Sequence, residues 1–509
     1  MSGAVQQHAA NVLRLRRIGI DTYQEPIIFM SAECPVCKSE GWEALARVRV
    51  AHGNHSIIAT LNVVTSGLLA PDEAALSDAA WRALGAAEGD TVTLSHTEPV
   101  SSLGSVRAKV YGQRLDAAAF SAIMRDIVAG RYSSIHLSAF VTACAGGRLD
   151  MDETIALTRA MIDVGDRLSW PQQRVVDKHS VGGLPGNRTT IIVVPIVAAY
   201  GLTMPKTSSR AITSPAGTAD AMETVAPVTL DIPAMRRVVE REGACIVWGG
   251  AVRLSPADDM IIRIEGPLDI DSEGQLVASV LSKKAAAGST HVVIDLPIGA
   301  TAKVRNAEAA ATLGARLAAT GRALGLRIEV VEGDGTQPIG RGIGPALEAR
   351  DVLAVLQGQA DAPADLRERA LVLAGRVIEL GDDLGTGNGY DLARGLLDSG
   401  AAWLKFRAIC DAQGGIREPP QAQYTHEVSA PNAGRITTID NRRLARLAKL
   451  AGAPRAKAAG LQLHVRLGTR LEHGEPLYTL HAESPGELAY ALAYAEQNPG
   501  IIGTADGSA

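Results

Sequence analysis

The chain has 509 residues, 46% of them hydrophobic, and a formal net charge of −5 from 50 basic and 55 acidic residues. That length suggests about three domains; with no basic block or basic-aromatic stripe, the near balance of charge argues against a nucleic-acid partner and requires any anion to be held by a local cluster. The apolar runs are too short or interrupted to span a bilayer, the N-terminus lacks the apolar core of a secretory signal, and five cysteines make no disulfide framework, so a reduced, cytoplasmic protein without a membrane partner is expected.

Residues 1 to about 100 read as mostly β and fit a small barrel-like module. Arg47-Val-Arg-Val alternates, Ser56-Ile-Ile-Ala-Thr-Leu-Asn-Val-Val is a continuous strand-type run, and Asp90-Thr-Val-Thr-Leu-Ser follows a glycine turn. From about 101 to 171 the spacing turns helical. Phe120, Ile123 and Ile127 make one apolar stripe, Ile135, Leu137, Phe140 and Val141 another, and Asp150-Met-Asp-Glu starts a further helix with acid in its first turn.

Over 172–414 strand and helix patterns alternate, which predicts a mixed, largely parallel sheet covered by helices. Strands are expected at 174–177, 244–248, 291–295 and 327–331; helices at 189–200, 233–242, 274–287, 306–323, 345–357, 363–380 and 390–411. Residues 415–509 return to short strands (His426-Glu-Val-Ser-Ala, Gly434-Arg-Ile-Thr-Thr-Ile, Leu463-His-Val-Arg-Leu, Pro476-Leu-Tyr-Thr-Leu) and predict a small α+β domain.

Two segments carry the chemistry. Asp177-Lys178-His179-Ser180-Val181-Gly182-Gly183-Leu184-Pro185-Gly186-Asn187-Arg188-Thr189 and Lys206-Thr-Ser-Ser-Arg-Ala-Ile-Thr-Ser-Pro-Ala-Gly-Thr-Ala-Asp each follow a short apolar run and open a helix pattern. A strand that feeds a helix through such a loop aims free backbone N–H groups and the positive helix end at one spot, a natural seat for phosphate. A single Ser or Thr there is more often a cap or turn residue; capping does not explain why Lys178 and Arg210 flank the hydroxyls in both segments.

These residues resemble the thymidine and pyrimidine-nucleoside phosphorylases. The likeness extends through Ala278-Ser-Val-Leu-Ser-Lys-Lys, Asp334-Gly-Thr-Gln-Pro-Ile-Gly-Arg-Gly-Ile-Gly-Pro-Ala-Leu-Glu and the run from Leu463 to His481, and is similar in particular to a longer branch with an extra N-terminal module, which includes archaeal AMP phosphorylases. It implies an α/β protein in which a helical domain faces the α/β domain across a cleft, a homodimer or larger homo-oligomer, a small-molecule nucleoside or nucleotide substrate with inorganic phosphate as co-substrate, and neither cofactor nor metal. The reaction is phosphorolysis, most simply thymidine plus phosphate giving thymine and 2-deoxy-α-D-ribose 1-phosphate. Its transition state, with a cationic sugar, a departing anionic base and an approaching dianion, needs a desolvated phosphate seat and a donor for the base.

By this resemblance Lys178, Ser180, Thr189, Ser208 and Thr218 hold phosphate, and His179 and Asp271 serve the leaving base. Nucleoside or nucleotide contacts are implied at Gly183, Ser209, Arg210, Ala211, Ile212, Thr213, Ser214, Ser279, Lys283 and Lys303. The bland readings are a turn or capping acid for Asp271 and a solvated face for Lys283. Ser279 and Lys283, four apart, share a helix face.

Two departures touch specificity. The thymidine enzymes carry an Arg seven residues before the position of Asp271; here Ile264 stands there, with Arg263 one residue earlier, and on a strand that offset would point the Arg away. A usual Gly-His-Thr-Gly-Gly-Thr loop is Thr213-Ser-Pro-Ala-Gly-Thr. A nucleoside 5′-monophosphate such as AMP, giving ribose 1,5-bisphosphate, is therefore the alternative substrate. A phosphoribosyltransferase of the anthranilate type is a second alternative, which would need an acidic magnesium site. Cys34-Pro-Val-Cys37 has metal-ligand spacing without a second pair and reads as structural.

Overall fold

The computed structural model describes residues 11–182, 184–211, 214–268, 270, 272–385 and 387–505. They form two compact units, one ending at Ala143 and the other beginning at Cys144. No helix among the described residues is long and apolar enough to cross a membrane.

The first unit opens with a closed six-stranded barrel built from Val12–Leu15, Ile27–Ser31, Arg47–His52, His55–Val64, Glu73–Leu76 and Thr91–His96. Alternation explains it. Leu13, Leu15, Ile28, Met30, Val48, Val50, Ala59, Leu61, Val92 and Leu94 point inward as one core, while Phe29, between two of them, packs into a second cluster with Leu69 and Ala75. Closure leaves no strand edge exposed, which lets so small a sheet stand alone. The strands Ile27–Ser31 and Glu73–Leu76 lay outside the sequence reading, because both are buried on each face and show no period of two. Cys34 and Cys37 bracket the start of the short helix Pro35–Glu40 as buried free thiols. Three helices follow, Leu103–Val110, Ala117–Val128 and Ser134–Cys144.

The second unit begins with the helix Met151–Asp163. Asp150 and Glu153 cap it reciprocally: Glu153 N–H donates to Asp150 Oδ1 (2.9 Å) and Asp150 N–H to Glu153 Oε2 (3.2 Å). Its sheet runs, in spatial order, Arg327–Asp334, His291–Ile298, Val176–Ser180, Met204–Ser208, Ala244–Trp248; every pairing is parallel, and the bridge Val175–Thr203 joins the two halves. The chain moves from Val176–Ser180 outward through Met204–Ser208 to Ala244–Trp248, then returns to the other side of Val176–Ser180. That reversal makes a switch point at the carboxyl ends of Val176–Ser180 and His291–Ile298, where a crevice opens in sheets of this kind.

The helix Thr189–Tyr200 is apolar all round and buried from Thr189 to Ala198, as a helix must be when its sequence offers no polar face. The single helix expected over 390–411 is instead two, Asn388–Asp398 and Ala401–Gln413, because Ser399-Gly400 turns the chain with Gly400 at φ +78°. After the helix Ala364–Asp382, the Glu379 carboxylate accepts from the N–H groups of Gly387 (2.6 Å) and Gly389 (3.1 Å). The tail from Tyr424 to Ala505 packs short antiparallel strands on the helices Asn441–Leu450 and Pro485–Gln497, and Gly460–Leu463 pairs with Gly342–Ile343.

Candidate active site

Strand alternation sorts the first motif. Lys178 and Ser180 share one face of Val176–Ser180; Asp177 and His179 share the other. Parallel pairing sets Ser180 opposite Asp295, at the switch point. The side-chain network follows from which groups can only accept and which can only donate. The buried Asp295 carboxylate accepts from Ser180 Oγ (2.6 Å), from Asn187 Nδ2 (3.2 Å) and from Arg369. With its amide nitrogen turned to Asp295, Asn187 presents Oδ1 to the Thr189 hydroxyl (3.0 Å). Both hydroxyl protons are thereby used, and their lone pairs accept from Lys178 Nζ, at 2.5 Å for Ser180 and 2.7 Å for Thr189. Lys178 is fully buried, with Asp295 at 3.8 Å as its counter-charge. Burial pushes its ammonium pKa down to about 8, against the pull of Asp295.

The second loop starts where the neighbouring strand Met204–Ser208 ends, at the same edge of the sheet. Ser208 Oγ is buried and has no hydrogen-bond partner among the described residues. Such an orphan hydroxyl costs free energy unless a ligand satisfies it. Ser209 is exposed, and its carbonyl accepts from Ala219 N–H (3.3 Å). Arg210 forks onto Glu223 (2.6 and 2.7 Å), reaches Asp220 at 3.4 Å and lies 4.8 Å over the Trp248 ring. Asp220 folds the loop back by accepting from the N–H groups of Ala211 (2.6 Å) and Gly217 (3.0 Å). Gly217 is required there, because a Cβ would stand 2.6 Å from the Ala211 nitrogen and the Ser209 oxygen. Ser214 Oγ donates to the Ala216 carbonyl (3.0 Å). Thr218 begins the helix Thr218–Glu223 and accepts from Arg188 Nη1 (3.2 Å), so the side chain of one loop reaches the other.

On the opposite face, His179 has its pKa held well below 6.5, first by burial and then by the ammonium groups of Lys284, Lys206, Lys283 and Lys178; it is a neutral imidazole at neutral pH. Asp177, beside it, is the counter-ion of a buried group: Lys284 donates to Oδ2 (2.7 Å), Ser289 to the same oxygen (3.3 Å), and Lys206 lies 3.5 Å from Oδ1. Ser279 is half-buried on the helix Glu273–Ala286. Lys283, one turn on, is ion-paired to buried Asp258; burial alone would lower its pKa, but Asp258 overrides this and raises it. Lys303 is exposed in the turn that follows His291–Ile298. Gly183, Ile212, Thr213 and Asp271 lie outside the described residues.

Residues 172–403 match the profile described as the a/b domain of a glycosyl transferase family, residues 105–165 its helical bundle domain, and residues 435–501 the pyrimidine nucleoside phosphorylase C-terminal domain. A "Putative thymidine phosphorylase" of Polaromonas sp. is 64% identical over 95% of this chain and 94% of that protein. One of the same name from Legionella pneumophila is 57% identical over 98% of this chain and 96% of its own. This chain belongs to the thymidine phosphorylase family. Among solved structures, the anthranilate phosphoribosyltransferase of Thermus thermophilus matches 61% of this chain and 99% of its own with a TM-score of 0.51 at 20% identity, a likeness of fold.

The family motif thus gathers Lys178, Ser180 and Thr189 into one buried network and leaves Ser208 and Thr218 with hydroxyl protons to offer. Arg210, expected at the substrate, is bound mainly to Glu223 and Asp220 and braces its own loop. The strand argument for Ile264 does not hold: both Arg263 and Ile264 lie on the helix Pro256–Leu268, where neighbours are about 100° apart rather than on opposite faces. The sequence reading gave no role to Asn187, Arg188, Lys206, Asp295, Glu348 or Arg369. One signal was present: Asp295 interrupts the apolar run Val292-Val-Ile-Asp-Leu, and an acid inside a buried strand is there to pair.

Proposed function

We propose that this family member is a pentosyltransferase that cleaves a nucleoside by phosphorolysis, thymidine plus phosphate giving thymine and 2-deoxy-α-D-ribose 1-phosphate. The observation that carries this reading is a fully buried ammonium, Lys178, at the switch point of a parallel sheet, beside the strand end at Ser208, whose buried hydroxyl has no partner among the described residues. In water-excluded surroundings such donors act strongly on a dianion. Lys178, Ser180, Thr189, Ser208 and Thr218 hold phosphate against C1′. His179, on the other face of the same strand, meets the base as a neutral hydrogen-bonding group, and the helix with Ser279 and Lys283 borders the base. Asp271 takes the proton-donor role, and Gly183, Lys303 and the loop from Ser209 to Ser214 complete the substrate contacts. Phosphate is the only co-substrate, no cofactor is needed, and the protein works as a cytoplasmic homo-oligomer.

Purified protein incubated with phosphate and a panel of nucleosides and nucleotides should release thymine from thymidine, only when phosphate is present and without magnesium. Release of base from 5′-monophosphates alone would replace thymidine by the AMP-type substrate. A strict magnesium requirement with a diphosphate sugar donor would move the protein to phosphoribosyl transfer.

The Lys178 shift sets a pH dependence. Its ammonium is charged below about pH 8 and neutral above. The KM for phosphate should therefore rise, and kcat/KM for phosphate fall, as pH passes through about 8, and bound dianion should move that limb upward. Folding stability changes in the opposite direction. Between about 8 and 10.5 the unfolded chain binds the extra proton, so this group makes stability rise with pH. A phosphate KM flat from neutral to alkaline pH would contradict the assignment.

A further inference from the structure

Of the four hydroxyls read as phosphate ligands, Ser180 and Thr189 have their protons committed to Asp295 and Asn187. The unliganded seat must therefore owe its ready hydroxyl donors to Ser208 and Thr218. Thr218 stands apart because something aims it. Arg188, the residue just before the helix Thr189–Tyr200, sends Nη1 to Thr218 Oγ1 (3.2 Å) and Nη2 to the Ala216 carbonyl (3.0 Å). Its Nε is held by Glu348, which is fully buried and also accepts from Gly344 N–H (3.1 Å). A guanidinium has five N–H groups and no acceptor. Thr218 must then accept from Arg188, and with no other partner among the described residues its own proton is left pointing elsewhere. A lysine could not span both acceptors in this way, because its ammonium is a point donor rather than a planar fork.

The loop that holds Arg188 is itself held firmly. Gly186 adopts φ +75°, its carbonyl accepts from Arg188 N–H (2.7 Å), and Ile339 N–H donates to the Pro185 carbonyl (3.2 Å). A Cβ at Gly186 would stand 1.9 Å from the Ile339 oxygen. The guanidinium thus sits between the turn at Gly186, a buried carboxylate and the second loop. It ties the two halves of the seat together from a position only 11% exposed.

We propose that Arg188 is a positioning residue for phosphate: anchored by Glu348 and braced on the Ala216 carbonyl, it orients the Thr218 hydroxyl as a donor to the incoming dianion. This rests on the phosphorolytic reading above and deepens it. The role belongs to phosphate binding and not to the base, so it separates the two substrates' constants.

The test is a double-mutant cycle on Arg188→Met and Thr218→Ala in the full-length protein, with phosphate and thymidine each varied at saturation of the other. Arg188→Met should raise the KM for phosphate roughly tenfold, with the KM for thymidine changed less than about twofold. In the Thr218→Ala background the same change should add less than about twofold, because the group it aims is gone. Arg188→Lys, which keeps charge and stem, should fall near Arg188→Met and carries the test alone should the methionine variant not fold. Independent, multiplying effects of the two substitutions would overturn the proposal, as would an equal rise in both KM values or wild-type behaviour of Arg188→Lys. A wild-type protein that releases no base with phosphate would instead sink the functional reading itself.

Discussion

Lys178→Met should lower kcat/KM for phosphate by about 10²–10³-fold, the usual loss when a preorganised donor is removed from a dry site. Lys178 is the cation at the centre of the network: its three protons go to Ser180, Thr189 and, at 3.4 Å, Thr190. A bound phosphate has to take a share of those protons, which a methionine of similar length cannot supply. The fold should survive, because Asp295 keeps Arg369, Ser180 and Asn187 as partners. Steady-state kinetics with phosphate varied, alongside a circular dichroism spectrum matching wild type, measures the effect. An unchanged phosphate saturation curve in the folded variant would mean that the dianion binds elsewhere.

The second large effect falls on stability. Asp177→Asn should destabilise the protein by about 3–5 kcal/mol, because removing one partner of a buried ion group leaves charge uncompensated. Here two ammonium groups, Lys284 and Lys206, converge on one carboxylate whose exposure is 1%. The Asp177 carboxyl is pulled up by burial but held below its ordinary 3.8 by Lys206 and Lys284. A depressed carboxyl contributes stability that is present above its unfolded pKa and lost as pH falls through the folded one. Lys206 is shifted well below 10.5, first by burial, and Asp177 resists that shift. In the variant the resistance disappears and the lysine sheds its proton more readily, so the deficit should narrow as pH rises toward the lysine range. Urea unfolding of both proteins near neutral pH and again at alkaline pH checks this. A loss under about 1 kcal/mol at neutral pH would show that the two lysines find relief without Asp177.

Much of the site was legible because its signals are local. A loop rich in Gly, Ser and Thr between an apolar run and a helix pattern predicts a strand before it and a helix after it, and both segments begin on a strand and end on a helix. The same holds for the helix starts at Asp150 and Asp231, where an acid three residues before the N–H it accepts is a capping signal. Where local signals mislead, a competing factor explains it. The strand after Arg174 runs on through Ser180, three residues beyond the expected end at Asp177, because Asp177, Lys178 and Ser180 find hydrogen-bond partners. The segment at Arg263 and Ile264, read as a strand by alignment to a motif, carries a helical spacing of apolar residues that tertiary packing selects.

The direction of each hydroxyl proton could not be read in the same way. Ser180 meets Asp295 across 115 residues of chain, Arg188 meets Glu348 across 160, and Arg369 meets Asp295 across 74. No periodicity links such positions.

The amino-acid sequence alone determined three alternating strands of the barrel, the alternation of strand and helix that makes a parallel sheet, and the two Gly-, Ser- and Thr-rich loops between strand and helix, because each depends on neighbours a few residues apart. Only the tertiary structure decided that Val176–Ser180 sits at the switch point, that Asp295 and Glu348 anchor the first loop, and that Arg210 pairs with Glu223 and Asp220. Those outcomes follow from sheet order and from the need of every buried charge to find a counter-charge, and that partner is chosen by the packing of distant segments.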